Sequence, residues 1–237
     1  MFLPLHDGVP LKHLGAPVVT RGLIGANVAA FVLVALGALP IGEQWIVAGF
    51  GVVPAVLFGT EALPDGLPFV PAPLTLVTSL FLHGSALHLL GNMLFLWVFG
   101  DNVEDGMGHA RFLLFYVVCG GLAGLSHAVM EPESTRPLIG ASGAVAGVVA
   151  AYLILYPRVK VWGLFLGRIP LRLPAMWAIG FWILLQLVSA VAATDRNVGW
   201  FAHLGGLVAG AALTPVLRRR YDPELARLEA TETPRSR

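Results

Sequence analysis

Residues 200–217 read WFAHLGGLVAGAALTPVL, eighteen positions with no Asp, Glu, Lys or Arg and with His203 as their one ionisable side chain. A membrane-spanning helix needs about 20 mostly apolar residues. Ala202, Gly206 and Gly210 recur every four positions, a spacing that lets two membrane helices approach closely. The stretch therefore predicts a membrane helix that packs tightly against a partner and carries a histidine into the bilayer.

The composition of the whole chain agrees with a membrane environment. Of 237 residues, 57% are hydrophobic before the 28 glycines are counted, 12% are charged, and the mean hydropathy is +0.78. A soluble domain is about 45–50% apolar with glycine included and about 25% charged. These values exclude a disordered chain, a coiled coil and almost any soluble fold. The net charge of +1 argues against nucleic-acid binding, and Cys119, the one cysteine, excludes an internal disulfide.

Six apolar stretches predict an all-α, polytopic membrane protein with a six-helix bundle as a single domain over residues 1–217, followed by a polar tail over residues 218–237. The predicted spans cover approximately residues 22–39, 86–99, 112–130, 142–156, 175–193 and 200–217.

The positions of the basic residues predict the orientation. With both termini in the cytoplasm, 13 of the 15 Lys and Arg residues lie inside, and only Arg136 and Arg196 lie outside. The long connection over residues 40–74 then lies outside, and its prolines and aromatic residues predict a partly embedded interfacial loop. The strong preference for Arg over Lys hints at a GC-rich genome, and we expect the membrane to be a bacterial plasma membrane.

Four polar residues stand inside the predicted spans at a similar depth. His88 and Asn92 lie near the outer end of the second span, Ser142 opens the fourth, and His203 lies just inside the sixth. Polar groups within spans are costly and are functional hypotheses by default. Singly, each has an ordinary interpretation as a packing or helix-joining residue. Together, on three helices that enter from the same side, they predict a shared site.

Each of the four has a chemical use. His88 and Asn92 are four residues apart, so they share a helix face and both can donate hydrogen bonds. Ser142 lies in residues 140–143 (GASG), where glycines allow a tight turn at a helix start with unpaired N–H groups. His203 can serve as the general base that a serine hydroxyl requires. No acidic residue is placed to orient His203, so the pair is a dyad.

Small residues also recur every four positions on the fourth span, at Gly143, Gly147 and Ala151. Facing the similar ribbon of the sixth span, they would allow the close approach that a Ser–His hydrogen bond across helices needs. The same ribbons are equally explained by packing alone.

In this order, the motifs resemble those of the rhomboid family of intramembrane serine proteases. Residues 82–92 (LHGSALHLLGN) resemble the family's histidine pair followed by HxxxN, and Gly100, Glu104 and Gly108 resemble its GxxxExxxG segment. Residues 140–143 resemble the GxSG motif, and residues 202–206 (AHLGG) resemble the AHxGG motif. GxSG alone is a weak signal, but the ordered set is specific.

The resemblance implies a serine endopeptidase that cleaves transmembrane segments of membrane proteins near the outer face, without metal or cofactor. Ser142 would be the nucleophile and His203 the base. His88, Asn92 and the Ser142 backbone N–H would form the oxyanion hole. Structural support would come from a further set, in which Glu104 ties down a loop near the cytoplasmic face: His83, Gly100, Glu104, Gly108, Gly140, Gly143 and Gly206.

The chain departs from the family pattern at two places. Leu74 and Thr75 stand where many members have Trp-Arg in the outer loop, and Ala146 stands where some have a tyrosine stacked on the histidine. Another group must therefore hold the His203 ring. The fifth span carries Trp177, Phe181, Trp182 and Gln186, which fit a lateral gate for substrates and lipid-facing aromatics equally well.

Three alternatives stay open at this point. A catalytically silent relative would bind membrane helices without cutting them, although such relatives usually lack the serine or the histidine. A proton relay would use His88, His127, His203 and Glu104, but no polar chain connects Glu104 to the histidines. A metal or haem site at His88 and His203 would need further ligands and would leave the serine motif unexplained. The sequence specifies neither a particular substrate nor an oligomeric state.

Overall fold

A computed structural model describes residues 2–64, 66–67, 70–165, 167–192 and 199–219. The described part is mostly helical. The predictions for Pro68, Phe69, Arg196 and the tail from Arg220 onward lie outside these residues. The strands and helices of the described part are β1 (Phe2–His6), α1 (Val18–Ala35), α2 (Glu43–Phe50), α3 (Pro54–Leu57), α4 (Thr75–Thr78), α5 (Ala86–Met107), α6 (His109–Met130), α7 (Ser142–Leu155), β2 (Lys160–Phe165), β3 (Ile169–Pro174), α8 (Ala175–Ala192) and α9 (Trp200–Leu217).

Helix α7 is the centre of the bundle. Every residue from Gly143 to Tyr152 is buried, and the helix packs against α5, α6, α8 and α9. It can be buried on all sides because it carries no charged residue and alternates small residues with valines. With 14 residues it is about 21 Å long, shorter than the hydrocarbon core of about 30 Å.

Helices α7 and α9 meet backbone to backbone. A Cβ atom on Gly206 would collide with the carbonyl oxygen of Gly143, and one on Gly210 would collide with the carbonyl oxygen of Gly147. Only glycine fits at these two positions of α9. The two glycine ribbons therefore fix the separation of the helices that begin with Ser142 and Trp200.

The architecture is that of a polytopic helical membrane protein. Among the described residues, α1, α6 and α9 are each long and apolar enough to cross a membrane. A fourth candidate joins residues 72–81 to α5 through a bend of 85°. Helices α7 and α8 are apolar but shorter over their described residues. The chain thus presents three or four candidate spans by length and composition, where the sequence predicts six.

Helices α1 and α5 show the largest differences from the predicted spans at their ends. Helix α1 begins at Val18, four residues before the predicted start, and α5 continues to Met107, eight residues past the predicted end. Hydropathy ended the second span at Phe99 because Asp101, Glu104 and Asp105 follow. In the fold Glu104 and Asp105 are buried with hydrogen-bonded carboxylates, so the helix continues through them.

A small antiparallel sheet in the order β1-β2-β3 was not predicted, and the expectation of an all-α chain is incomplete here. Strand β2 pairs with β1 through Leu3 and Leu164, and with β3 through Trp162 and Arg172. Strand β1 lies at the start of the chain, and β2 and β3 lie in a basic loop between two predicted spans. The high apolar content of the chain hides the alternation of apolar and polar residues that would indicate strands. The sheet ties the start of the chain to the connection between α7 and α8.

The connection over residues 40–74 contains the short helices α2 and α3, and residues 72–81 form 3-10 and α turns that lead to α5. Val52 forms an isolated antiparallel bridge with Leu138, in the segment that precedes α7. Phe50 accepts a 2.7 Å hydrogen bond from the Thr78 hydroxyl through its carbonyl oxygen. These contacts hold the connection against the segments that enter α5 and α7.

Candidate active site

Ser142 and His203 are hydrogen-bonded to each other across two helices. Ser142 is the first residue of α7 and His203 is the fourth residue of α9. The distance from Ser142 Oγ to His203 Nε2 is 2.9 Å, and both side chains are half-buried. The glycine contacts between α7 and α9 make this distance possible, because no side chain separates the two backbones.

The other ring nitrogen of His203 faces a neutral amide. His203 Nδ1 lies 2.8 Å from Gln186 Oε1, and an amide oxygen only accepts hydrogen bonds. With the oxygen in this place, Nδ1 carries the proton and donates it to Gln186, which leaves the Nε2 lone pair to accept from the Ser142 hydroxyl. The Trp200 ring stands edge-on to the imidazole, with centroids 5.9 Å apart.

His88 and Asn92 lie beside the turn that leads to Ser142. A Cβ atom on Gly140 would lie 2.7 Å from His88 Cε1 and 3.9 Å from Asn92 Nδ2. Both side chains project from the first turns of α5, where Ser85 Oγ caps the helix by accepting from the His88 N–H at 3.1 Å. The structure thus brings together the four polar residues that the sequence singles out.

Gly140 occupies a backbone conformation that other residues rarely adopt. Its φ is +120°, and its N–H donates to the Ser79 carbonyl at 2.9 Å. The glycine lets the chain turn directly into α7 while the His88 ring packs against it. The first N–H groups of a helix have no partner within the helix, so the Ser142 N–H is available at this turn.

His83 is a neighbour of the donors. Asn92 Nδ2 donates to His83 Nε2 at 3.0 Å, and the rings of His83 and His88 meet edge to face with centroids 5.0 Å apart. This bond uses one of the two N–H groups of the Asn92 amide and orients the other. His83 thus holds the Asn92 amide in place.

A cavity of about 570 Å³ joins these residues, and both the dyad and Gln186 line it. Its walls come from α5, α7, α8, α9 and residues 137–139. Phe95 on α5 and Trp182 on α8 also line it, and their rings lie 5.8 Å apart by centroids. An aromatic contact between α5 and α8 therefore flanks the cavity.

Gly100, Glu104 and Gly108 lie at the opposite end of α5, about 24 Å along the helix from His88 to Glu104. Glu104 is fully buried and accepts from Val19 N–H at 3.0 Å and from Thr20 N–H at 2.8 Å. It thereby caps α1, which has no side-chain cap of its own. A Cβ atom on Gly100 would lie 3.0 Å from Thr20 Cγ2, so the glycine allows α1 to pack closely against α5. These residues hold the fold and do not join the cavity.

The sequence interpretation missed the contact between Gln186 and His203. It noted Gln186 as part of a possible gate, since a carboxamide in an apolar helix is unusual. The signal available was a carboxamide on an otherwise uncharged helix, together with the small side chain of Ala146 where a stacked ring would stand. Hydropathy alone does not tell which face of α8 meets α9.

These observations define an integral membrane protein with a helical bundle. In it a hydrogen-bonded serine and histidine line a cavity, and the hydrogen-bond donors His88 and Asn92 lie beside them. The chain belongs to the rhomboid family, because the family model described as the Rhomboid domain matches residues 72–220.

The chain is similar to several curated relatives. It is 30% identical over 162 residues to RHOMBOID-like protein 12, mitochondrial, of Arabidopsis thaliana, covering 61% of this chain and 46% of the relative. It is 30% identical over 152 residues to Rhomboid protein 1, mitochondrial, of Saccharomyces cerevisiae, covering 60% and 41%. It is 30% identical over 140 residues to YdcA of Bacillus subtilis, covering 59% and 64%. The chain thus spans less than two thirds of the length of each.

Proposed function

We propose that this chain is an intramembrane serine endopeptidase in which Ser142 is the nucleophile and His203 is the general base. The observation that carries the proposal is the 2.9 Å hydrogen bond from Ser142 Oγ to His203 Nε2 at the wall of an open cavity. A serine hydroxyl is a weak nucleophile unless an adjacent base takes its proton. Membership of a family that includes serine intramembrane proteases supports the same activity.

The reaction follows from the two hydrogen bonds of the imidazole. Ser142 Oγ attacks the scissile carbonyl carbon while its proton moves to His203 Nε2. The tetrahedral intermediate collapses, the C–N bond breaks, and the departing amine takes that proton from Nε2. Water then adds to the acyl-enzyme ester, with Nε2 again taking a proton and returning it to Ser142 Oγ as the acid product leaves.

His88, the free N–H of Asn92 and the backbone N–H of Ser142 are the proposed oxyanion hole. All three groups belong to, or pack beside, the turn over residues 140–142. Donors fixed at this point before reaction stabilise the negative charge as it develops on the carbonyl oxygen. His83, Gly140, Gly143 and Gly206 are proposed to hold these groups in place.

We propose that α1 and α5 to α9 form six spans of one membrane domain over residues 1–217, with residues 218–237 as a cytoplasmic tail. The distribution of Lys and Arg supports cytoplasmic termini and a dyad near the outer face. The preference for Arg over Lys supports a bacterial plasma membrane as the proposed location. The length of α7, about 21 Å, supports a position for Ser142 below the outer surface. The connection over residues 40–74 is proposed to be partly embedded there.

The proposed substrates are transmembrane segments of other membrane proteins. A helix in lipid protects its backbone hydrogen bonds, so the scissile bond must come from a locally unwound segment. Segments with Gly or Pro near the outer end unwind most easily, and we expect small residues at the cut. The aromatic contact between Phe95 and Trp182 is the proposed lateral entry, since both rings line the cavity and meet between α5 and α8.

A fluorescent fluorophosphonate tests the nucleophile without a known substrate. Purified wild-type protein should be labelled, and Ser142→Ala and His203→Ala should not be labelled. Ser126→Ala, the same chemical change on the neighbouring helix α6, is the matched control and should be labelled like the wild type.

A folded wild-type protein in lipid that takes no label would contradict the protease and favour the catalytically silent alternative. Cleavage in vesicles would then be absent, and single-span proteins would be expected to co-purify uncut. A labelled enzyme should cleave a single-span substrate with a Gly or Pro near the outer end of its span.

A further inference from the structure

Gln186 lies on α8 and reaches the imidazole of His203. Its side chain is buried, with 8% exposed, and its Oε1 lies 2.8 Å from His203 Nδ1. Helix α8 carries no charged residue, and Ser189 is the one other residue of its sequence with a hydroxyl or amide side chain. A carboxamide in such a helix is costly unless its polar atoms are paired.

The packing between α7 and α8 explains how Gln186 comes within reach. Ala146, Ala150 and Leu207 form a small buried cluster, and Trp182 and Ile183 of α8 pack against it. A large ring at position 146 would occupy this space. With a methyl group there, α8 lies close to α7, and Gln186, one turn after Trp182, meets the His203 ring.

The hydrogen bond selects one tautomer of His203. A neutral imidazole has one N–H and one bare nitrogen, and either nitrogen can carry the proton. The amide oxygen of Gln186 accepts only from a protonated Nδ1, which leaves Nε2 bare and facing Ser142 Oγ at 2.9 Å. With the opposite tautomer, Nε2 would carry the proton and could not accept the one on Ser142.

We propose that Gln186 is the positioning residue of the dyad: its amide oxygen holds His203 in the orientation and tautomer that accept the Ser142 proton. This inference rests on the proposed protease function. Among the described residues the role belongs to a neutral amide on α8, since within that part of the chain no carboxylate contacts the imidazole and position 146 is an alanine. Unlike a carboxylate, the amide adds no negative charge to a site surrounded by lipid.

Gln186→Met keeps the length of the side chain and removes the strong acceptor, and Gln186→Glu keeps an acceptor oxygen at the same place. We expect Gln186→Met to lower kcat for a single-span substrate about fivefold, the effect of one net hydrogen bond of about 1 kcal/mol, with KM unchanged. Gln186→Glu should recover most of the loss. Leu184→Met, on the exposed face of the same helix, is the control and should match the wild type.

Ring ¹⁵N resonances of histidine-labelled protein report the tautomer directly. In the wild type His203 should show a protonated Nδ1 and a bare Nε2, and in Gln186→Met it should show a mixture. Gln186→Leu provides a second test if Gln186→Met loses helix by circular dichroism.

An unchanged tautomer together with kcat within twofold of the wild type in the folded variant would overturn the inference. So would a Gln186→Glu variant no faster than Gln186→Met. A wild-type protein that takes no fluorophosphonate label would refute the protease instead, and the ¹⁵N resonances would still decide whether Gln186 orients the ring.

Discussion

The two ends of α5 hold polar side chains in opposite ways. At the carboxylate end, which we define by Asp7, Glu104 and Asp105, every carboxylate accepts several hydrogen bonds from the chain itself. Asp105 alone accepts from the N–H groups of three consecutive residues, Lys12, His13 and Leu14, at 2.9, 2.9 and 2.7 Å. At the dyad end, defined by His88, Asn92, Ser142 and His203, donors face a cavity.

The difference separates groups that stabilise the fold from groups that act on a ligand. A buried carboxylate with all its partners contributes to stability and has little capacity left for chemistry. The donors at the dyad end are fixed by their neighbours yet keep hydrogen-bonding capacity free, which is the arrangement that charge stabilisation during a reaction requires. Substitutions at the two ends should therefore separate activity from stability.

The largest effect should come from Ser142→Ala. We expect cleavage of a single-span substrate to fall to background, because no other oxygen lies within hydrogen-bonding distance of His203 Nε2 among the described residues. The midpoint of thermal unfolding in detergent should stay close to that of the wild type, since one half-buried hydroxyl is lost. Residual cleavage above background would show that another residue is the nucleophile.

Glu104→Ala should have the largest effect on stability. It removes the acceptor for Val19 N–H, Thr20 N–H and the Thr20 hydroxyl, and it breaks the contact with His109. Loss of one partner of a buried, hydrogen-bonded charge costs about 3–5 kcal/mol, so α1 should detach at a lower temperature. Thermal unfolding measures this, with the exposed Glu133→Ala as the unaffected control. A Glu104→Ala variant as stable as the wild type would contradict the role of the carboxylate end in stabilising the fold.

Asn92→Ala should lower the rate about 10²–10³-fold, the usual effect of removing one oxyanion-hole donor. Its matched control is Asn102→Ala, the same change on the same helix at the carboxylate end, where Asn102 Nδ2 donates to Asp7 at 2.8 Å. We expect Asn102→Ala to lower the unfolding midpoint and leave the turnover of the folded enzyme unchanged. Equal effects of the two substitutions on turnover would contradict the view that the dyad end determines activity and the carboxylate end determines stability.

Asp105→Asn should have the smallest effect, a loss of about 1–3 kcal/mol in unfolding free energy. The amide keeps one acceptor oxygen but presents an N–H to backbone N–H donors at the other position. Limited proteolysis should then cut the segment over residues 7–14 sooner than in the wild type, while fluorophosphonate labelling of Ser142 stays unchanged. Faster labelling or slower labelling would connect this segment to the dyad.

The sequence predicts more about the dyad end than about the carboxylate end, for a physical reason. His88, Asn92, Ser142 and His203 stand out because polar residues are rare in apolar spans, and the structure brings them together. Family membership, which the motifs indicate, is confirmed.

At the carboxylate end, hydropathy counts charges without knowing their partners. The partners of Glu104 lie about 85 residues earlier in the chain, and no local pattern indicates such a contact. Helix α5 therefore continues past the predicted end of the second span. The resemblance implies that Glu104 ties down a loop, but it does not predict the cap on α1.

Two other features depend on tertiary packing and escape sequence patterns for the same reason. Strand β1 forms a sheet only because the distant β2 pairs with it. Gln186 contacts His203 only because α8 turns one particular face toward α9, and in a helix that is apolar all round the sequence gives no preferred face.

The glycine contacts between α7 and α9 also bear on how the dyad responds to heat. Side chains between helices are the first parts of a core to gain rotational freedom as temperature rises, but at Gly206 and Gly210 backbone meets backbone. At these two positions the gap between the helices therefore has little free volume to expand and no side chain that could change rotamer. The rate of Ser142 labelling should rise along an Arrhenius line up to the temperature at which the bundle loses helix, with no earlier decline.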